Sequence, residues 1–558
     1  MKILYNKYRT IITSLILVVT PMIFILPFLS LTSCRSADID QDNVLNGSER
    51  SGGIAAVNIN LLGAEYANSN KPAQVASINN KGLNVDNDVQ HYSALVSPSS
   101  FITAELTPNR SLSSVASSKN LNTVAAVAGD QLGAGNKFRV IAYRQSDGTY
   151  QTYQDYTIGQ SALPMMLDGG KAYDIIVYSY GVNTLPNISA NEQTSISSAT
   201  VNYDDTNRDF MYQKVSYTPD GNNPNNTLNI TLRHKIAQIT TVVNSFSLGN
   251  ITEVTGGLLT PHYSNGIVSL SSGAMSGRST LSSGAVLSFP GLNTSTITST
   301  PVFVNADTDT GGNATGGFSA NITVGGATKT ISLPNSFKIT PENKSNLTIN
   351  LMKCGAYIGP NNDRTNYKEF MCQNLGATEG IDPFSPEAGN HGAKYQWGAQ
   401  TGESGRYISQ ADDQNNSGAI SGWDSTSKPG GSWSDTSKTA KDPCPTGYRV
   451  PTYEQWKAVI DNNNVEKIGS WTDDVNNYTS AIYFKNPSNI RTLMLPIAGS
   501  RRNFMGILEH RGSYGEYRSS NVNGTTDDNS FHLGIYSSGV YISNSPKTLG
   551  MPIRCVAE

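Results

Sequence analysis

Between residues 53 and 350, apolar and polar positions alternate with a period of two over short runs. Val57, Ile59 and Leu61 interleave with Asn58, Asn60 and Leu62, the pattern of a first strand. Residues 138–143 and 149–156 flank Asp147-Gly148, a strong hairpin signal. Residues 172–179 follow the turn Asp168-Gly169-Gly170 and read as another strand. Residues 228–243 alternate throughout and predict one long strand, and residues 347–351 close the region after Thr340-Pro341. Strands at this spacing, with no helical stretch between them, predict sandwiches rather than a parallel sheet. His234 stands alone within the long strand and is read as a packed or surface residue, not a catalytic one.

After residue 351 the pattern changes. Apolar runs shorten, glycine turns multiply, and all five tryptophans fall between Trp397 and Trp471. Cys354, Cys372, Cys444 and Cys555 lie here too, so a domain boundary is expected near residue 351. Residues 442–456 (DPCPTGYRVPTYEQW) lead into the most helix-like stretch, which runs to about Ile460. Thr452 or Pro451 stands at its start, with Glu454 in the first turn favouring the dipole. Residues 494–499 and 551–556 are expected to be strand-like.

The N-terminus is of another kind. Lys2, Lys7 and Arg9 precede a nearly uncharged run from 11 to 31, ending in Leu31-Thr32-Ser33-Cys34. A basic start, an apolar segment and small residues before a cut are the parts of an export signal. The last four residues resemble a bacterial lipobox, which implies acylation at Cys34 and removal of residues 1–33. Pro21 and Pro27 weaken the alternative of a membrane-spanning helix. Residues 35–50 are polar and acidic and read as a disordered leader. Asp38, Asp40, Asp42 and Glu49 have calcium-loop spacing, but Asn43 occupies the position that needs Gly, so a solvated tether is the preferred reading. Arg50 ends the leader before Ser51-Gly52-Gly53 and is the expected site of proteolytic processing.

Composition narrows the classes. Net charge is −3 and charged residues make up only 15%, so no basic footprint for nucleic acid exists. Abundant turn formers and few strong helix formers indicate an extracellular, mainly β protein. The expected division is 1–33 signal, 34–52 leader, 53–215 and 216–350 two β-sandwiches, and 351–558 the cysteine-bearing module.

Two resemblances add to this. VNINLLG, KFRVIAYRQSDGTY, KAYDIIVYSYG, TLRHKIAQITTVV and FKITPENKSNLTINL resemble, in order, strands of the fimbrillin family of Bacteroidetes surface lipoproteins. The resemblance implies two tandem sandwiches, a cut after a leader arginine that opens a groove, and entry of a partner subunit's strand by main-chain hydrogen bonding. Residues 354–557 resemble the Fibrobacter succinogenes major paralogous domain through Gln373-Asn374-Leu375, Tyr395-x-Trp397-Gly398, CPTGYRVPTYEQW and the terminal IRCV. That implies an α+β, C-type-lectin-like module. One departure is at residues 516–520 (EYRSS), where that family usually has a tryptophan before the paired serines; an aromatic surface at Arg518 is therefore in doubt.

Four cysteines in an exported chain imply disulfides. Of three possible pairings, Cys354–Cys372 and Cys444–Cys555 are favoured. Zinc is the alternative, but no cysteine or histidine cluster has ligand spacing, and no metal or cofactor is expected. The acidic pairs Asp412-Asp413, Asp473-Asp474 and Asp527-Asp528 read as solvated turns rather than catalytic carboxylates. Gly430-Gly431-Ser432-Trp433 resembles sulfatase-modifying enzymes only superficially, and no catalytic residues are assigned. Trp423, Trp433, Arg501 and Arg502 are the ligand-contact candidates, with Arg511 beside them; packing of both tryptophans inside the module is the competing reading.

The expectation is a non-enzymatic surface lipoprotein of the outer membrane, of fimbrial type, at a tip or accessory position. Cys555 lies three residues from the end, so a bridge there leaves no free strand to donate. Its partners would be other fimbrial subunits, an extracellular glycan or protein ligand, and the membrane through the lipid alone. The alternatives are a monomeric glycan-binding lipoprotein and a surface enzyme with its chemistry in the last module.

Overall fold

The computed structural model describes residues 53–68, 89–109, 130–308, 315–523 and 528–558. Cys34, Arg50, the leader and Asp527 lie outside them.

The first β unit is built around a seven-stranded mixed sheet. Its strands are β1 (Ile54–Glu65), β4 (Lys137–Arg144), β5 (Tyr150–Thr157), β6 (Met165–Asp168), β7 (Tyr173–Ser179), β8 (Met211–Tyr217) and β9 (Asn226–His234). Their order is β5-β4-β7-β8-β9-β1-β6, with β1 parallel to β9. Period-two alternation gives both faces an apolar core. Val57, Val140, Ile175 and Ile230 bury on one side; Ile141, Ile176, Tyr143 and Tyr178 bury on the other. The β4–β5 hairpin turns at Asp147-Gly148, where Gly148 takes the positive φ (72°) that favours glycine.

The second unit is a sandwich. One sheet holds β2 (Gln90–Ser97), β3 (Ser100–Pro108), β10 (Ala237–Asn244) and β14 (Lys344–Lys353), and the other holds β11 (Ile251–Thr260), β12 (Gly316–Val324) and β13 (Ala327–Phe337), each with short edge strands. Their facing residues, among them Ile102, Ile239, Phe318, Ile331 and Leu347, form one core.

Three expectations change here. The single strand over 228–243 is two strands: its alternation continues through Lys235 and Ile236, but the chain leaves the first sheet and enters the second. The boundary at 215/216 is therefore misplaced, because β9 belongs to the first sheet. A linear division fails in both directions. Residues 90–108 lie in the second sandwich, where β3 pairs with β14, and Ile267–Ser269 and Met275–Ser276 lie over the first sheet, placing Val268 and Leu270 in its outer core. The sheets are also mixed rather than purely antiparallel, since β10 runs parallel to β14.

The C-terminal module packs α2 (Tyr453–Asn462) onto a three-stranded sheet of β18 (Gly515–Val522), β19 (Asn529–Tyr536) and β20 (Gly539–Pro546) and a second sheet of β15 (Asn464–Ile468), β16 (Ala481–Lys485) and β17 (Arg491–Pro496). Thr452 caps α2, accepting from the Gln455 amide while the Gln455 side chain accepts from Thr452 N–H. The strand-like stretch 551–556 is irregular between its ends: Met551 bridges Tyr395, and Val556–Ala557 pairs with Tyr448–Arg449. The module is joined to the second sandwich at the β2–β3 turn. Ser99 Oγ donates to Glu369 (2.7 Å), Tyr448 donates to Ser99, and Phe101 packs on the Cys354–Cys372 bridge.

Candidate functional site: an open strand edge and a pinned C-terminus

β1 is flanked by β9 along most of its length, but its other side is bare in the middle. Among the described residues it pairs there only at Ile54–Val57 with β6 and at the Ala64–Asp130 bridge. None of the described residues forms a strand beside residues 58–63 on that side. A cavity of about 330 Å³ opens at this gap, lined by Ile59, Leu61, Leu62, Leu132, Phe138, Tyr156 and Ile158 among others. On the paired side the β1–β9 ladder is regular from Val57 to Leu61 and shifts register between Leu61 and Gly63, with Leu62 as the extra residue. The cavity wall mixes these apolar side chains with Gln131, Thr157 and Gln160. Main-chain groups with no described strand partner beside such a trough are what an incoming strand needs: hydrogen bonds for its backbone and a pocket for alternate side chains.

Residues 553–558 are pinned within the C-terminal module. The cysteines pair as Cys354–Cys372 and Cys444–Cys555, the latter across 111 residues. Ile553, Cys555 and Val556 are fully buried. Met371 N–H donates to the Cys555 carbonyl (2.8 Å), Leu375 N–H to Ile553 (2.9 Å) and Glu558 N–H to Gly447 (2.9 Å). The buried Arg554 guanidinium donates to Asn374 Oδ1 and to the Cys372 carbonyl.

The ligand-contact candidates are mostly interior. Trp433 is 1% exposed, lies against Trp397 at 5.6 Å and donates to the Lys441 carbonyl. Trp423 is 8% exposed, packed beneath Gly506 and Gly550. Neither is a stacking platform, because the Gly- and Ser-rich loops fold over them. Arg501 is fully buried, not a surface contact, whereas Arg502 is exposed beside Glu509 (3.3 Å). Arg518 is also fully buried, donating to Ser530 Oγ and to carbonyls of 546–549. His234 is packed, stacked on Tyr66 and 2.6 Å from Asp209.

Asp413 overturns the solvated-turn expectation. It sits in the short helix α1 (Gln410–Asn415), 1% exposed, and bridges Lys394, Arg501 and Arg511 at 2.6 Å each. Burial pushes its carboxyl upward, but the three cations prevail and hold it below the usual range. Burial drives Lys394 down to about 8. Arg501 also donates to the Asp413 and Asn416 carbonyls at the helix C-terminus. This cluster ties three distant loops together. It is a structural centre, with no open cleft beside it among the described pockets.

Two buried histidines predict an acid response. His391 is pushed down to about 3 by burial, with Lys394 and Arg511 opposing its charge; His532 is pushed down to about 3 by burial and by Arg518. Both are neutral in the folded protein, while the unfolded chain takes up protons below about 6.5. The unfolded state therefore binds more protons between pH 6.5 and 3, and stability falls as pH falls. Each histidine contributes a slope approaching about 1.4 kcal/mol per pH unit in that window. Urea midpoints followed by tryptophan fluorescence, which reports this module alone, are expected to decrease from pH 7 to pH 4. His391→Gln is expected to flatten the slope.

No family model matches the chain, and no curated protein matches it. Among solved structures it is similar to a fimbrial assembly protein from Parabacteroides distasonis, at 13% identity, covering 39% of this chain and 88% of that one with a TM-score of 0.26. It is also similar to the tip fimbrial protein Mfa3 from Porphyromonas gingivalis with C-terminal truncation, at 10% identity, covering 39% and 92%, with a TM-score of 0.28. At scores this low the likeness carries no argument about function.

The resemblance implies a groove for a partner's strand, but not that β1 borders it. Alternation marks a strand but not how many neighbours it has.

Proposed function

We propose that this chain is a surface subunit of fimbrial type that receives a partner's strand along β1, cannot donate one, and carries its C-terminal module as an adhesive end. The observation that carries this reading is the gap in pairing at residues 58–63, among the described residues, beside a cavity with Ile59, Leu61 and Phe138 in its wall. The pinned C-terminus supports the terminal position, since a donor strand must be free to leave its own domain. The resemblance of the β units to fimbrillins and the lipobox-like Leu31–Cys34 supply the remainder: lipid attachment at Cys34, outer-membrane export, and release by a cut after Arg50.

N-terminal sequencing of the surface protein tests the maturation step. A start at Ser51 is expected; a chain that always begins at lipidated Cys34 would argue for a permanently anchored monomer. Ile59→Asp tests the edge itself. A carboxylate in the trough opposes burial of an incoming side chain, so co-sedimentation with fibres is expected to drop about tenfold with the thermal transition of the β units, followed by far-UV circular dichroism, unchanged. Normal assembly of that variant would refute strand acceptance at β1.

A further inference from the structure

The outward face of the β18–β20 sheet has an unusual composition. Cross-strand register pairs Glu516 with Gly534, Gly534 with Tyr541, Tyr536 with Gly539, and His532 with Ser543. Directly paired residues share a face, so one face carries Glu516, His532, Gly534, Tyr536, Gly539, Tyr541 and Ser543. His532, paired with Arg518 and 3.5 Å from Glu516, is buried at one end, and the tyrosines lie at the other. The intervening residues Leu533, Ile535, Val540 and Ile542 belong to the module's core. Two tyrosines and two glycines thus occupy the outer face without an aliphatic neighbour in those registers.

The glycines have a geometric role. A Cβ at Gly534 would lie 2.8 Å from the Tyr536 ring, and one at Gly539 would lie 2.6 Å from the Tyr541 ring. Each ring therefore lies down across a glycine, one face on the sheet and the other outward. The two rings are 6.3 Å apart and inclined by 36°. Tyr514 stands against Tyr536 at 5.0 Å and 67°, and His510 lies 4.6 Å beyond it. The result is a floor of two rings with a third as a wall. Tyr541 is 51% exposed and Tyr514 37%.

Polar groups border the rings. Asp473 is 3.2 Å from His510, and Glu516 and Ser543 adjoin Tyr536. Lys467 closes the far end, donating to the Ser537 carbonyl (2.7 Å) beneath a half-buried Trp471. A protein-binding patch would set its aromatic anchors in a desolvated core depleted of charged residues. Here flat ring faces alternate with carboxylates and hydroxyls. Sugar rings offer the complement: C–H faces for the aromatic floor, and hydroxyls that donate to Asp473 and Glu516. Two carboxylates against one lysine disfavour a polyanion.

We propose that the floor of Tyr536 and Tyr541 with the wall of Tyr514 is a binding surface for a neutral glycan chain. This deepens the adhesive role proposed above and rests on it, but uses a surface separate from β1. The test is the full mature chain on an array of neutral tetrasaccharides (cello-, xylo-, manno- and chito-), with sialylated and sulfated glycans, collagen and fibrinogen as further arms. Binding to at least one neutral tetrasaccharide is expected. Tyr541→Ala and Tyr514→Ala should each weaken it about tenfold, whereas Tyr541→Phe should keep it within about twofold, because the ring face and not the hydroxyl makes the contact. Tryptophan-monitored melting should be unchanged in all three. Binding restricted to charged glycans or to proteins, no binding, or neutral-glycan binding indifferent to both alanine variants would overturn the proposal. Fibre incorporation of Tyr541→Ala separates the two readings: incorporation with sugar binding lost leaves strand acceptance standing. Sugar binding by an Ile59→Asp chain that still assembles would instead remove strand acceptance and keep the glycan surface.

Discussion

Asp413→Asn is expected to unfold the C-terminal module, with a loss of about 5 kcal/mol or more. One carboxylate neutralises three buried cations, and Asn keeps its shape but removes its charge. Arg501 and Arg511 cannot shed their protons, so the variant must bury two guanidinium groups without a counter-ion. Lys394, already pushed down to about 8, is the one member that can escape by deprotonating. Raising the pH from 7 to 9 should therefore recover part of the lost stability in Asp413→Asn. The neighbouring Asp412→Asn, on the exposed side of the same helix, is expected to change stability by no more than about 0.5 kcal/mol. All five tryptophans lie in this module, so their fluorescence isolates its transition from those of the β units. In the wild type, Asp413 adds its own acid dependence. Its folded pKa is depressed, so its contribution is complete above the unfolded carboxylate value of about 3.9 and is lost only as pH falls further, after the histidines have begun to charge. An Asp413→Asn chain that melts like the wild type would show that the cluster is surplus to stability.

The same residue marks a limit of reading sequence. Strand alternation, the Asp147-Gly148 hairpin, the capped helix after Thr452 and the Cys354–Cys372 bridge are local or nearly local features, and local pattern carries them. Cys444–Cys555 spans 111 residues and is favoured from cysteine count and motif placement instead. Asp413 looked like any acidic pair in a polar loop because its three partners come from positions 394, 501 and 511, and nothing along the chain announces that they converge. Its one local signal is the three-residue spacing from Gln410, the other buried side chain of the short helix. Residues 90–108 show the same limit for topology. Ile102, Ala104 and Leu106 alternate as a strand should, but alternation does not say which sheet the strand joins. The tyrosine face was legible in part: a tyrosine on either side of Ser537-Ser538, with glycines at 534 and 539, is a hairpin signature. That its rings lie flat follows only from register. The tryptophans drew attention by residue type, yet large aromatic rings are as often the core of a loop-rich module as its surface.

Opening the Cys444–Cys555 bridge is expected to lower the module's stability by about 4.7 kcal/mol, the loop-closure value for a bridge enclosing on the order of 100 residues. For a domain of this size that corresponds to a fall of about 10 °C in the tryptophan-monitored transition. Cys354–Cys372 encloses a far shorter loop and should cost less, about 3 kcal/mol. The consequence for assembly is more specific than the loss of stability. Even in a Cys444→Ser/Cys555→Ser chain, the terminus keeps the Arg554 bonds to Asn374 and Cys372, the Leu375 and Met371 amide bonds, and the fully buried Ile553 and Val556. Extracting it to serve as a donor strand would leave Asn374 unsatisfied and expose the centre of the module. The bridge is thus one of two locks, and the packed tail is the second. Below its lowered melting temperature the double serine variant should resist carboxypeptidase as the wild type does and should still fail to extend a fibre from its C-terminus. Release of the last residues well below the tryptophan transition would show that the disulfide alone holds the tail, and that a reducing environment could convert a terminal subunit into one that propagates.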